Sequence, residues 1–156
     1  MKRSMTVLIA LAVLAAGGAA WAVDTNTLTV TASVSGTCKF SAATSALNFG
    51  ALDPANPVAV NVSASPQFWC TKGVATDLIT ANLGNNAVAG VRQMKDTAVG
   101  GTDLIPYSLT LAPDGNPNAG PASPRTLTIA GNIAANSYSG LTASTYSDTV
   151  TLDINP

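Results

Sequence analysis

Two cysteines and eight aspartates are the side chains of this 156-residue sequence with the most obvious chemistry, and the chain holds neither His nor Glu. Acid–base catalysis usually draws on His, or on a carboxylate with a partner. Asp24, Asp53, Asp77, Asp96, Asp103 and Asp114 stand mostly beside Pro, Gly or Thr and read as turn or solvent residues, with no metal-ligand spacing among them. There is no Ser-centred elbow and no phosphate loop. An enzyme is not expected, and neither is a cofactor. Cys38 and Cys70 are too far apart for a Cys-x-x-Cys redox pair, and without His they do not complete a zinc site. In an exported chain an even count predicts one disulfide. It closes a separation of 70 − 38 = 32 residues. In the chain-entropy picture that is worth about 3–4 kcal/mol.

Export is predicted by residues 1–22. Lys2 and Arg3 precede an apolar run over residues 6–19, and Ala20-Trp21-Ala22 has the small-x-small form of a cleavage site. The apolar run is shorter than the ~20 residues a bilayer span needs. Stable membrane insertion is therefore not expected. Cleavage after Ala22 leaves 156 − 22 = 134 residues, the length of one domain. Five basic residues (Lys39, Lys72, Arg92, Lys95 and Arg125) then face eight Asp, a formal charge of 5 − 8 = −3. The basic residues are scattered, which excludes a phosphate-tracking stripe and makes nucleic acid a poor partner.

The elements that carry these residues are strands. Thr, Val, Ala, Ser, Asn and Gly dominate, and short alternating runs are separated by turn residues at intervals of about ten, the pattern of an all-β sandwich or barrel. Residues 23–34, VDTNTLTVTASV, alternate strictly: Leu28, Val30, Ala32 and Val34 on one parity, Thr and Ser on the other. Such a strand needs an apolar groove, in its own domain or in another copy. Strands are expected near residues 39–42, 58–62, 68–70, 78–83, 104–111 and 125–130, with a weaker one over 88–94. Pro106 suggests an edge position or a bulge. Trp69, beside a bridging cysteine, is expected in or next to the core, while Tyr138 falls in a loop. Residues 146–154 mirror the leading segment, with Tyr146, Val150, Leu152 and Ile154 on one parity and Asp148 its polar exception. With nothing after it to pair its outer edge, this strand is expected to be a strand-addition site unless something covers it.

The runs LTVTASVSGTC (residues 28–38), LNFGALDP (47–54), WCTKG (69–73), PYSLTL (106–111), LTIAGNIAAN (127–136) and TYSDTVTLDI (145–154) together resemble the spore coat protein U family, which includes subunits of archaic chaperone–usher pili. The resemblance covers essentially the whole exported chain, though aromatic and charged residues are few. It implies an immunoglobulin-like β-sandwich missing its last strand, with an N-terminal donor-strand extension. The corresponding division is residues 1–22 signal peptide, 23–36 extension and 37–156 sandwich. By that likeness a periplasmic chaperone first occupies the groove. An outer-membrane usher then lets the extension of the next subunit replace it, giving a homopolymer on the cell surface. Leu28, Val30, Ala32 and Val34 would be the pocket-fillers, and Tyr146, Val150, Leu152 and Ile154 the acceptor edge. The Cys38–Cys70 bridge would sit near the extension's exit point. Two other readings stay open: a coat or envelope protein whose leading strand folds back into its own domain, and a small ligand-binding or adhesin-like module.

Overall fold

The computed structural model describes residues 23–74 and 78–156. The expected signal peptide lies outside the described residues. The chain divides into two units after Ser33. In the first, residues 23–33 form no strand and are exposed throughout. The second carries nine strands among its described residues: β1 (Cys38–Phe40), β2 (Val60–Ala64), β3 (Gln67–Cys70), β4 (Leu78–Ala81), β5 (Arg92–Asp96), β6 (Leu104–Pro113), β7 (Arg125–Ile133), β8 (Tyr146–Ser147) and β9 (Leu152–Asn155). The fold is all-β, as the alternation predicts.

A curled antiparallel sheet runs β1-β3-β7-β6-β5-β8, with β2 added to β7, and a second sheet pairs β4 with β9. The long strand β7 shows why the layers close. Arg125, Leu127, Ile129, Gly131 and Ile133 are buried on one parity, and the intervening residues are half-buried or exposed. One core gathers Phe68, Cys70, Leu127 and Ile129 under Ile79, Leu152 and Ile154 of the second sheet. The other gathers Ile105, Tyr107, Ile133 and Tyr138. Burial of this kind is worth about 1.5–3 kcal/mol for each large side chain.

Cys38 and Cys70 are directly opposed across β1 and β3 and are bridged, with Cα atoms 4.0 Å apart. The disulfide thus clips a three-residue edge strand to the sheet. β1 lies against β9 on its other side.

Pro106 is not on an edge strand. It sits in the half of β6 that pairs with β5, opposite Gln93, whereas β7 joins β6 only from Ser108 onward. A missing N–H is tolerated because that half of the strand is paired on one side. Tyr138 is in a loop, as expected, yet it is buried, its hydroxyl donating to the Val58 carbonyl at 2.9 Å. The strand expected near residues 125–130 runs on, since β7 continues to Ile133. Two aspartates also depart from the turn-or-solvent expectation. Asp96 is buried and accepts from the Ala98 amide and the Ser144 hydroxyl.

Asp114 is ion-paired with Arg125 at 2.9 Å and accepts the Thr126 amide at 2.8 Å. Arg125 first, then that amide, hold the Asp114 carboxyl down at about 2, from an ordinary 3.8. In the unfolded chain the group titrates near its ordinary value. Its contribution is therefore complete above about pH 4 and is lost as pH falls through about 2. Asp114→Asn is expected to flatten the acid limb of stability between about pH 4 and 2, read as urea midpoint against pH.

The expected strand over residues 146–154 is broken. β8 ends at Ser147 and β9 begins at Leu152, so the segment crosses from one sheet to the other. Side chains replace ladder partners between them: the Thr149 amide donates to its neighbour Asp148, and the Thr151 amide to Asn82 Oδ1, each at 2.9 Å.

Candidate functional site

An apolar groove opens in the second unit between residues 42–47 and 146–152, with a cavity of about 560 Å³. Its floor comes from the middle of the curled sheet: Met94 on β5, Tyr107 and Leu109 on β6, and Ile129 on β7. A second cavity of about 480 Å³ shares Leu47, Phe49, Met94 and Tyr146 with the first and continues past Leu52 and Leu141. The trough therefore exceeds what either core closes over.

Its two lips have backbone to spare. Residues 42–47 belong to no strand and, among the described residues, form no backbone hydrogen bond. This lip is seated by Leu47 and Phe49, which lie over Gly131. A Cβ there would come within 2.5 Å of Leu47 Cδ2 and 2.9 Å of Phe49 Cζ, so only glycine lets the lip sit so close. On the other lip, the Thr149 and Thr151 carbonyls accept from Asn85 and Asn82. In an extended chain successive residues turn their polar groups to opposite edges. The N–H and C=O of Val150 thus face the groove side, where no described backbone group meets them. Five antiparallel pairings separate β1 from β8, so the sheet's two edge strands run in opposite senses. A strand laid between their continuations would be antiparallel to one and parallel to the other.

Among the described residues, Asp148 is the one charged side chain lining the first cavity. It is fully engaged. One oxygen takes the Tyr107 hydroxyl at 2.7 Å, and the other takes the amides of Asn85, Asn86 and Thr149 and the Asn86 side chain at 2.9–3.2 Å. Burial, followed by the Asp148 carboxylate, pushes the Tyr107 hydroxyl well above its ordinary pKa. Tyr107 stays a neutral donor. The turn closes tightly enough that Gly84, at φ 84°, would place a Cβ 2.0 Å from Asp148 Oδ2. The groove is thus largely apolar, and its carboxylate is hydrogen-bonded by its own walls. Its lining suits apolar side chains and an extended backbone.

The structure brings Tyr146, Val150 and Leu152 together on one lip. Ile154 is not at the cavity. It pairs with Ile79 and packs into the first core. Leu28, Val30 and Val34 are exposed to 83, 83 and 86 %, and Ala32 is exposed as well. Large apolar side chains left to water on one parity are the informative exception to burial. The opposite lip, residues 42–47, was not legible in the sequence: SAATSA, from Ser41 to Ala46, has no alternation. Asp148 was visible only as a break in parity.

An open apolar trough in a disulfide-clipped all-β domain defines a class of structural and binding proteins. The chain matches the Spore Coat Protein U domain over residues 24–153 and belongs to that family, one of structural coat and pilus subunits. No curated protein matches it in sequence. Among the described residues no helix is long and apolar enough to cross a membrane.

Proposed function

We propose that this chain is the polymerising subunit of an extracellular pilus, in which residues 24–34 of one copy fill the groove of the next. The observation that carries this reading is the pairing of deficits within one chain. The body has an apolar trough with two unpaired lips, and the leading segment has four apolar residues on one parity exposed to solvent. Inserting the segment would satisfy both lips and bury Leu28, Val30, Ala32 and Val34, the mode of β-strand addition.

Exchange between copies fits better than folding back. The body begins at the far end of β9, where a Cβ on Gly36 would lie 3.3 Å from Val74 and 3.6 Å from Pro156. A hairpin turning at Gly36 would set Val34 and Ala32 beside Cys38 and Phe40, where β1 already lies against β9. Only Val30 and Leu28 would reach the open trough. Donation to a neighbour has no such constraint. Because donor and groove are different surfaces, the contact is head-to-tail and propagates into an open fibre. In the cell, a periplasmic chaperone would cover the groove before an outer-membrane usher delivers the donor. An uncovered trough of this kind is an aggregation surface.

Deleting residues 23–34 from the exported protein is expected to abolish fibres in electron micrographs while leaving the Cys38–Cys70 bridge formed. Fibres of normal length from the truncated protein would reject the proposal.

A further inference from the structure

We infer that Asp148 is a positioning residue for strand capture: it latches the 146–152 lip in place while the groove is empty. This rests on the strand-acceptor reading above and deepens it. The lip is interrupted by a crossover of four residues between β8 and β9. Its edge nevertheless has to be extended and correctly placed before a donor arrives, and preorganisation of that sort lowers the cost of binding.

Asp148 supplies the placement. Its carboxylate joins three separate pieces of chain: the lip itself through the Thr149 amide, the turn through the amides of Asn85 and Asn86, and the floor through the Tyr107 hydroxyl. The Asn86 side chain bridges Asp148 and the Ser147 carbonyl, at 3.1 and 3.0 Å. Arg92 holds the same turn from behind, donating to the carbonyls of Asn82 and Ala81 at 2.9 and 3.0 Å. Every one of these bonds falls on the turn, the floor or the odd-numbered side of the lip. Among the described residues, the groove-facing backbone groups of Val150 stay free. An apolar residue at position 148 would keep the parity of the strand but lose all the ties. An ordinary strand has no need of a carboxylate there; a lip that must wait unpaired does.

The test uses the oxidised full-length exported chain, refolded from urea and mixed with a fluorescent synthetic peptide of residues 23–34. Wild type should capture the peptide, and Asp148→Ala should capture it at least about tenfold more slowly. Asp148→Asn, which keeps an acceptor at Oδ1, should return to within about threefold of wild type. Release from the filled complexes should agree within about threefold across all three, because the inserted strand then holds the lip. Equal capture by wild type and Asp148→Ala overturns the inference. So does slow capture matched by equally fast release, the mark of a general stabiliser. If Asp148→Ala does not refold by near-ultraviolet circular dichroism, Tyr107→Phe replaces it. That variant removes one tie and should slow capture about threefold, and capture at the wild-type rate overturns the inference. A wild-type chain that takes up no peptide has a different signature, zero uptake in every variant, and removes the acceptor reading along with the latch.

Discussion

Val30→Asp is expected to turn the chain into a fibre terminator. Val30 is an interior apolar residue of the exposed segment, between Leu28 and Ala32. On insertion it would give up water for an apolar trough, a gain of about 1.5–3 kcal/mol. A carboxylate in its place loses that gain and must be desolvated as well. The groove's own carboxylate, Asp148, already accepts from the surrounding turn and floor, and among the described residues the lining holds no Lys or Arg to receive another. A combined penalty of about 4 kcal/mol or more corresponds to about a thousandfold loss of affinity. The groove of the variant is untouched. It therefore still accepts a wild-type donor, and mixing it with wild type should shorten fibres in proportion to its share. Fibres of unchanged length at equal mixing would contradict the assignment of Val30 as a pocket-filler.

Removing the disulfide should have the next largest effect. The bridge closes 32 residues, so Cys38→Ser with Cys70→Ser is expected to cost about 3–4 kcal/mol. That is a large share of the ~5–15 kcal/mol by which domains are usually stable. The loss has a particular location. β1 pairs with β3 through three residues only, and it continues directly into the 42–47 lip. Without the bridge, one wall of the groove frays before the core does. The double variant should therefore lose fibre assembly under conditions where its near-ultraviolet circular dichroism still reports a folded body. The urea midpoint measures the first effect, and electron microscopy the second.

Much of this was legible in the sequence wherever a local pattern carried it. Alternation in residues 28–34 and 146–154, the paired cysteines and the inward Leu127 and Ile129 all needed only a period of two or a count. What escaped depends on partners far along the chain. Tyr138 reads as a loop residue because the carbonyl that takes its hydroxyl lies 80 residues away, on Val58. Asp114 reads as a turn residue because Arg125 becomes its partner only when β7 forms. The 42–46 stretch of the lip, AATSA, carries small residues with no apolar period to mark it. The final strand alternates in sequence with Asp148 its one exception, yet Asp148 and Asn82 divert its amides and divide it. Hydrophobic period cannot report that exchange, since the parity of Tyr146, Val150 and Leu152 survives it.

The most direct measurement is cross-linking in fibres grown from equal amounts of isotopically heavy and light protein, with a photoreactive residue replacing Leu28. The account predicts cross-links from position 28 to residues 42–49 or 146–152, with heavy–light pairs as abundant as same-isotope pairs. Cross-links to those residues found solely within single molecules would mean that each copy completes its own sandwich, and would contradict it.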